Sequence, residues 1–311
     1  MENILKNKLI SFKSFDIADK DFYNSLLFCD GMRGCEFSFA NLFLWGRQKF
    51  AEIDGNIVFF SQFDRRTVYP YPLGKGDKKP LIDAIISDSA ARGIPCRITG
   101  LSKEAAENLS DLYPGKFRFH CDRASFDYVY AINDLAELKG KKYHSKKNHL
   151  NRFQESYNGY EAVPISRHNV DTISDFVKSW YKSKLSENPQ DDFLMESAAI
   201  EKALVHYEDL GLEGLLLTYR GEALAFTMGS ALSHDTFDVH FEKARGDING
   251  AYAAVNYEFA RFIRDKYPYV KYLNREEDMG LEGLRRAKES YKPHHLVEKC
   301  WAHFLEDGYD Y

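Results

Sequence analysis

The stretch from Gly214 to Tyr291 restricts the fold more than any other part of the chain. Two strand-like runs, Gly214 to Tyr219 and Glu222 to Leu232, flank a two-residue Arg220-Gly221 turn, the pattern of a β-hairpin. A third run, Thr236 to Lys243, alternates Phe237, Val239 and Phe241 with Asp238, His240 and Glu242, so one face is apolar and the other ionisable. After the Arg245-Gly246-Asp247 turn comes a long helix with Ile248, Tyr252, Val255, Phe259 and Phe262 at three- and four-residue spacing. A strand at Tyr269 to Leu273 and a helix from Leu281 to Tyr291 follow. An antiparallel meander followed by helix, strand and helix predicts a mixed α/β (α+β) domain.

The first half has the same mixed order. A helical stretch spans Asp21 to Leu44, and Asn56 to Phe63 with Thr67 to Tyr71 form a hairpin. A helix over Lys79 to Arg92 stops at Gly93 before Pro95, and Ser102 caps a helix to Leu112. Strands are expected at Cys96 to Thr99, Lys116 to Cys121 and Phe126 to Ile132. At about 150 residues per domain, 311 residues give two domains, 1–140 and 141–311. Helices at Asn169 to Leu185 and Phe193 to Leu210 open the second.

Hydrophobic residues at 44% and charged residues at 29% exclude disorder and low-complexity architectures. A net charge of -5, from 42 basic and 47 acidic residues, gives no general attraction to nucleic acid or anionic lipid. The N-terminus, with lysines at 6, 8 and 13, has no continuous apolar core of a signal peptide. The apolar run Leu224 to Leu232 is far shorter than the ~18 residues of a membrane span. A cytoplasmic protein without transmembrane segments is expected. Cys29, Cys35, Cys96, Cys121 and Cys300 show no C-x-x-C or zinc-finger spacing, so reduced thiols and no structural zinc are expected.

Against that acidic background, residues 139–152, KGKKYHSKKNHLNR, carry six Lys or Arg and no acid. They lie at the domain boundary. Read as a helix from about Lys142, the segment has an apolar stripe of Tyr143, Leu150, Phe153 and Tyr157 with Lys146 and Lys147 at its margins. Lys141, Lys142, Lys146, Lys147 and Arg152 could border an anion-binding surface, or form a solvated helix with lysines snorkelling over the core.

Asp238, His240 and Glu242 lie two apart on one strand, which puts their side chains on one face roughly 6.6 to 6.8 Å apart. Such a set could accept a proton from an incoming amine or hydroxyl. It could equally be the polar outer face of a half-exposed strand, or bind a metal, though with no second histidine at ligand spacing no metal is expected. The turn Lys243 to Ala251, KARGDINGA, could hold an anion against the helix N-terminus near Asn249. It could also be an ordinary turn capped by Asp247.

YLNREEDMGLEGLRRAKESYKP, from Tyr272 to Pro293, resembles the DUF2156 family, most specifically in Asn274, Asp278, Gly280, Gly283, Leu284, Arg285, Lys288 and Pro293. FANLFLWGRQKF and IDGNIVFF, around Trp45, add a more diffuse likeness. That family is related to the C-terminal domain of phosphatidylglycerol lysyltransferases and is similar to GNAT and Fem aminoacyltransferases. The resemblance implies two tandem GNAT-like domains with mixed central sheets. It implies transfer of an acyl or aminoacyl group from acyl-CoA or aminoacyl-tRNA to an amine or hydroxyl of a small-molecule, peptide or lipid acceptor, with no cofactor required. Glu242, helped by His240 and Asp238, would be base or acceptor guide; Asn249, Asn274 and Asp278 would line the cleft; Arg285 and Lys288 would steer the donor. Asp238 matches the aspartate of the family's Asp-x-x-Arg, and Phe241 stands at its arginine position. The turn lacks the R-x-x-G-x-G/A register of acetyl-CoA binders. The alternative is a GNAT-like module that binds RNA or another polyanion without chemistry.

Overall fold

The computed structural model describes residues 9–63, 66–187 and 191–305, so Lys6 and Lys8 lie outside the described residues. The chain separates into two compact units, residues 1–126 with 297–311, and residues 127–296. Each is built on a mixed sheet.

In the first unit, β1 (Lys13–Ser14) and α1 (Lys20–Asp30) precede α2 (Phe39–Trp45). The single helical stretch expected here is broken because Gly31, at φ +85°, ends α1 in the left-handed region. Strands β2 (Gln48–Ile53), β3 (Asn56–Phe63) and β4 (Arg66–Pro70) form an antiparallel run, and α3 (Lys79–Arg92) follows. After it come β5 (Arg97–Leu101), α4 (Lys103–Leu112), whose N-terminus Ser102 caps through Ala105 N–H at 3.1 Å, and β6 (Phe117–Cys121).

The last strand, Cys300–Phe304, inserts between β5 and β6. The chain therefore divides at Phe126, ahead of the expected boundary, and residues 297–311 belong with the first unit. Cys300 pairs directly with Cys121 across the strands and forms a disulfide with it, which corrects the expectation of five thiols. The partners are 179 residues apart, so only the returning strand brings them together.

The second unit begins with β7 (Asp127–Ala131), α5 (Ile132–Glu137), α6 (His144–Ser156) and β8 (Glu161–Pro164). Helices α7 (Val170–Glu187), α8 (Asp191–Val205) and α9 (Tyr207–Leu210) lead into the meander of β9 (Glu213–Tyr219), β10 (Glu222–Ala231) and β11 (Thr236–Ala244). Arg220 and Gly221, both at positive φ, make the hairpin turn the sequence demands. Then come α10 (Ala251–Lys266), β12 (Tyr272–Asn274), α11 (Glu282–Glu289) and β13 (His295–Val297). The sheet order is β13-β7-β12-β11-β10-β9-β8, with β12 parallel to β11 and antiparallel to β7.

Helix α10 covers one face of this sheet. Phe259, Ala260 and Ile263 pack with Phe237, Val239, Leu273 and Tyr130, while Ala251, Ala254 and Val255 pack with Ala244, Leu217 and the α6 residues Leu150 and Phe153. Each large side chain sealed there contributes about 1.5–3 kcal/mol. The small residues set the closest approach, so the buried stripe runs through alanines, and Tyr252, expected in it, is exposed.

Candidate functional site

β11 does not keep its alternation. Met228 pairs with Phe241 and Gly229 with Val239, leaving His240 as an extra residue in a β-bulge. The bulge reverses which side chains face α10. Before it, Phe237 and Val239 pack against Phe259; after it, Ala244 packs against Ala254 and Glu242 reaches Asn256 of α10 at 3.4 Å. Asp238 and His240 project from the opposite face. The expected single face of Asp238, His240 and Glu242 is therefore two sites back to back.

On the α10 side, Glu242 accepts a 2.7 Å hydrogen bond from Arg275, and both side chains are largely buried. β12 pairs only with the first three residues of β11, so beyond Asp238 and Asn274 the two chains part, and Arg275 enters beside Glu242. Its guanidinium lies 4.8 Å from the Tyr291 ring centroid and 5.7 Å from that of Tyr130. Burial works against the Arg275 charge, but the Glu242 carboxylate outweighs it and raises its pKa. Lys146 of α6 places its ammonium 4.0 Å from the Tyr291 centroid. Burial first, then Arg275, lower its pKa to about 8 against the opposing pull of Glu242. Burial raises the Tyr291 phenol to about 12. One carboxylate, one fixed cation and one amine that exchanges its proton near neutral pH thus share one partly accessible place. Such a set can hold negative charge on a carbonyl oxygen and move a proton.

On the other face, the Asp238 and His240 side chains are fully buried. His240 Nε2 lies 2.8 Å from Ser230 Oγ, and its Nδ1 lies 3.5 Å from Asp238 and 3.6 Å from Glu276. Asn274, in register with Asp238, donates to Asp127 at 3.0 Å and accepts from the Glu276 N–H at 2.8 Å.

The remaining signature residues shape the loop after β12. Asp278 accepts from Tyr128 at 2.6 Å, from Gly280 N–H at 2.8 Å and from both forks of Arg285 at 2.7 and 3.1 Å. Burial alone would raise its pKa, yet these donors hold it well below the usual carboxylate range. Lys288, buried, donates to the carbonyls of Arg275 and Glu277. Asp278, Arg285 and Lys288 are thus engaged with the protein itself.

Of the basic segment, only Lys146 turns into the Glu242 cluster. Lys147, Arg152 and Lys141 are exposed, and Lys142 pairs with Asp134 at 2.9 Å. Asn249 is exposed, 3.3 Å from His149 Nδ1, and Asp247 pairs with Arg245 instead of capping α10, whose N-cap is Gly250. The sequence reading passed over Arg275, Glu276, Asn256, Tyr291 and Ser230. Gly229, inside a strand run, was the available signal: a Cβ there would sit 2.0 Å from the Asp238 carbonyl oxygen, and such glycines mark bulges.

Known proteins fit this architecture. A protein of unknown function from Bacteroides thetaiotaomicron is 38% identical and superposes with a TM-score of 0.90 over 96% of this chain and 100% of its own. L-PGS of Bacillus licheniformis, at 17% identity, shares the fold with a TM-score of 0.65 over 92% of each chain. FemX, at 11%, does so with 0.61 over 96% of this chain and 98% of its own. An uncharacterised protein of Mycoplasmoides gallisepticum is 23% identical over 177 residues, 57% of this chain and 55% of that relative, so the match spans about half the relative's length. Residues 31–303 match the model of the family described as phosphatidylglycerol lysyltransferase, C-terminal, and the chain belongs to that family.

Proposed function

We propose that this chain transfers an aminoacyl group from aminoacyl-tRNA, or an acyl group from acyl-CoA, to an amine or hydroxyl acceptor. The two units are read as tandem GNAT-like domains, with the reaction in the second. The observation that carries the reading is the Glu242–Arg275 ion pair with Lys146 stacked on Tyr291 beside it, where β11 and β12 part. Family membership and the likeness to FemX support a transferase.

In this reading the acceptor's lone pair attacks the ester or thioester carbonyl. The carbonyl oxygen takes up negative charge opposite Arg275, which Glu242 fixes in place. Lys146, neutral in part near pH 8, takes the acceptor's proton and returns it to the departing ribose oxygen or thiol as the old bond breaks. Glu242 is thus an acceptor guide rather than a free base, because it is bound to Arg275. Asp238 and His240, on the far face, support the strand.

The test is incubation of the full chain with radiolabelled aminoacyl-tRNAs and acyl-CoAs and an acceptor panel, following label transfer. Transfer by the wild type, slowed about 10²- to 10⁴-fold in Lys146→Met, is the expected result. RNA binding that weakens steeply with salt and never releases label would overturn it in favour of a non-catalytic module.

A further inference from the structure

The buried cluster on the face of β11 away from α10 has a geometry that hydrogen bonding does not explain. His240 Nδ1 has no hydrogen-bond partner, although the side chain is fully buried. It points at two carboxylates, 3.5 Å from Asp238 Oδ2 and 3.6 Å from Glu276 Oε1, and the three ligand atoms all lie within 4.8 Å of one another. Both distances exceed the ~2.7–2.9 Å of an imidazolium held by a carboxylate. They lie within a few tenths of an ångström above the roughly 3.3–3.4 Å edge of a tetrahedron whose centre lies about 2.0–2.1 Å from nitrogen and oxygen ligands, a gap that a small inward turn of the side chains closes.

We propose that Asp238, His240 and Glu276 bind one divalent transition-metal ion of the zinc type, through Asp238 Oδ2, His240 Nδ1 and Glu276 Oε1. The surroundings suit it. Ser230 Oγ, 2.8 Å from Nε2, can accept the Nε2 proton, and in that tautomer the Nδ1 lone pair is left for the metal, the usual outer support of a metal-bound histidine. Asn274 holds the backbone of Glu276 through its N–H, and Glu276 sits at φ +57°, so the loop is bent to bring this side chain back over β11. Glu276 is the ligand with access to solvent, at 26% exposure, which gives the ion a way in and leaves room for a water as fourth ligand. The ion would fasten the loop after β12 to the bulge of β11. The site stands apart from the Glu242 cluster on the opposite face, so it does not depend on the proposed transfer reaction.

The test uses the full chain stripped with EDTA and titrated with Zn²⁺ against a chromophoric chelator, with Co²⁺ as a spectroscopic probe. Expected are one Zn²⁺ per chain, a rise in melting temperature on loading, and visible Co²⁺ bands of a four-coordinate centre. Glu276→Gln, on a partly exposed side chain that leaves the fold intact, and His240→Gln should each weaken uptake by about 100-fold or more, judged against the 10–100-fold typical of outer-shell changes. Glu242→Gln should leave uptake unchanged. No uptake by the wild type overturns the proposal. So does uptake that survives unaltered in both ligand variants, which would place the ion elsewhere, for instance on the adjacent His294 and His295.

Discussion

Glu242→Gln looks conservative, since the two side chains have nearly the same shape, but the structure makes it a charge deletion inside a buried pair. Glu242 and Arg275 retain only 10% and 14% of their side-chain exposure, and their 2.7 Å contact is what compensates the guanidinium for burial. Removing one partner of a buried ion pair costs about 3–5 kcal/mol. The glutamine carbonyl still accepts from Arg275, and a hydrogen bond to a charged group is worth about 1.5–3 kcal/mol. With part of that retained, a loss of about 2–4 kcal/mol is expected. The double variant Glu242→Gln/Arg275→Met removes both charges, so it should be less destabilised than the sum of the singles by about 1–3 kcal/mol. Trp180 is the only tryptophan of the second unit, so urea unfolding followed by its fluorescence, with Trp45 and Trp301 changed to Phe, reads that unit directly. A Glu242→Gln loss below about 0.5 kcal/mol, the level of an ordinary surface change, together with an additive double variant, would refute the buried-pair account.

Gly250→Ala should cost about 2–4 kcal/mol, because φ +85° is unfavourable for a side chain and its Cβ would lie 2.2 Å from the His149 carbonyl oxygen, pushing α6 off α10. Urea unfolding measures this, and a loss under 1 kcal/mol would mean the contact yields easily. Lys146 releases its proton in the folded state near pH 8, below the ~10.4 of the unfolded chain. The unfolded state therefore binds more protons between these values, and stability from this group rises with pH above about 8. Lys146→Met should flatten that rise in a pH series of melting curves, and an unchanged slope would assign it to other groups. Asp278 has the opposite origin but the same slope, since its depressed pKa gives stability that is present above about pH 4 and lost as acid protonates it. Asp278→Asn should destabilise by about 1–3 kcal/mol and increase hydrogen exchange in residues 275–281; unaltered exchange would show the loop is held by other contacts.

The elements most legible in the sequence are those whose signal is local. The Arg220-Gly221 hairpin, the helix ending at Gly93 and the Ser102 cap depend on neighbours a few residues away, and they form where the pattern places them. The long helix was legible as a helix but its buried face was not, because apolar spacing favours large residues whereas close packing on β11 selects Ala251, Ala254 and Ala260. The disulfide and the strand at 300–304 depend on contacts with residues far back in the chain, for which periodicity carries no information. The candidate site falls between these cases. Its strand was found, but period-two reasoning fails at a bulge, and a single extra residue at His240 moves Glu242 to the other side of the sheet.

That bulge and the loop after β12 act together. Asn274, Asp278, Arg285 and Lys288, the most specific residues of the family likeness, are engaged with Asp127, Tyr128 and backbone groups, so what they supply is the course of the loop. The loop leaves β12 with Arg275 on the α10 side and Glu276 on the other. The bulge divides β11 in the same way, with Glu242 on the α10 side and His240 opposite. Each face then receives one residue from the loop and one from the strand, giving the Arg275–Glu242 pair on one side and the Glu276–His240 approach on the other. The signature therefore marks the candidate site by its scaffold, and the residues to which we assign the proposed chemistry lie between the signature positions. A substitution such as Asn274→Ala, which frees the Glu276 N–H, should for that reason disturb the arrangements on both faces at once, whereas Glu242→Gln should disturb only one.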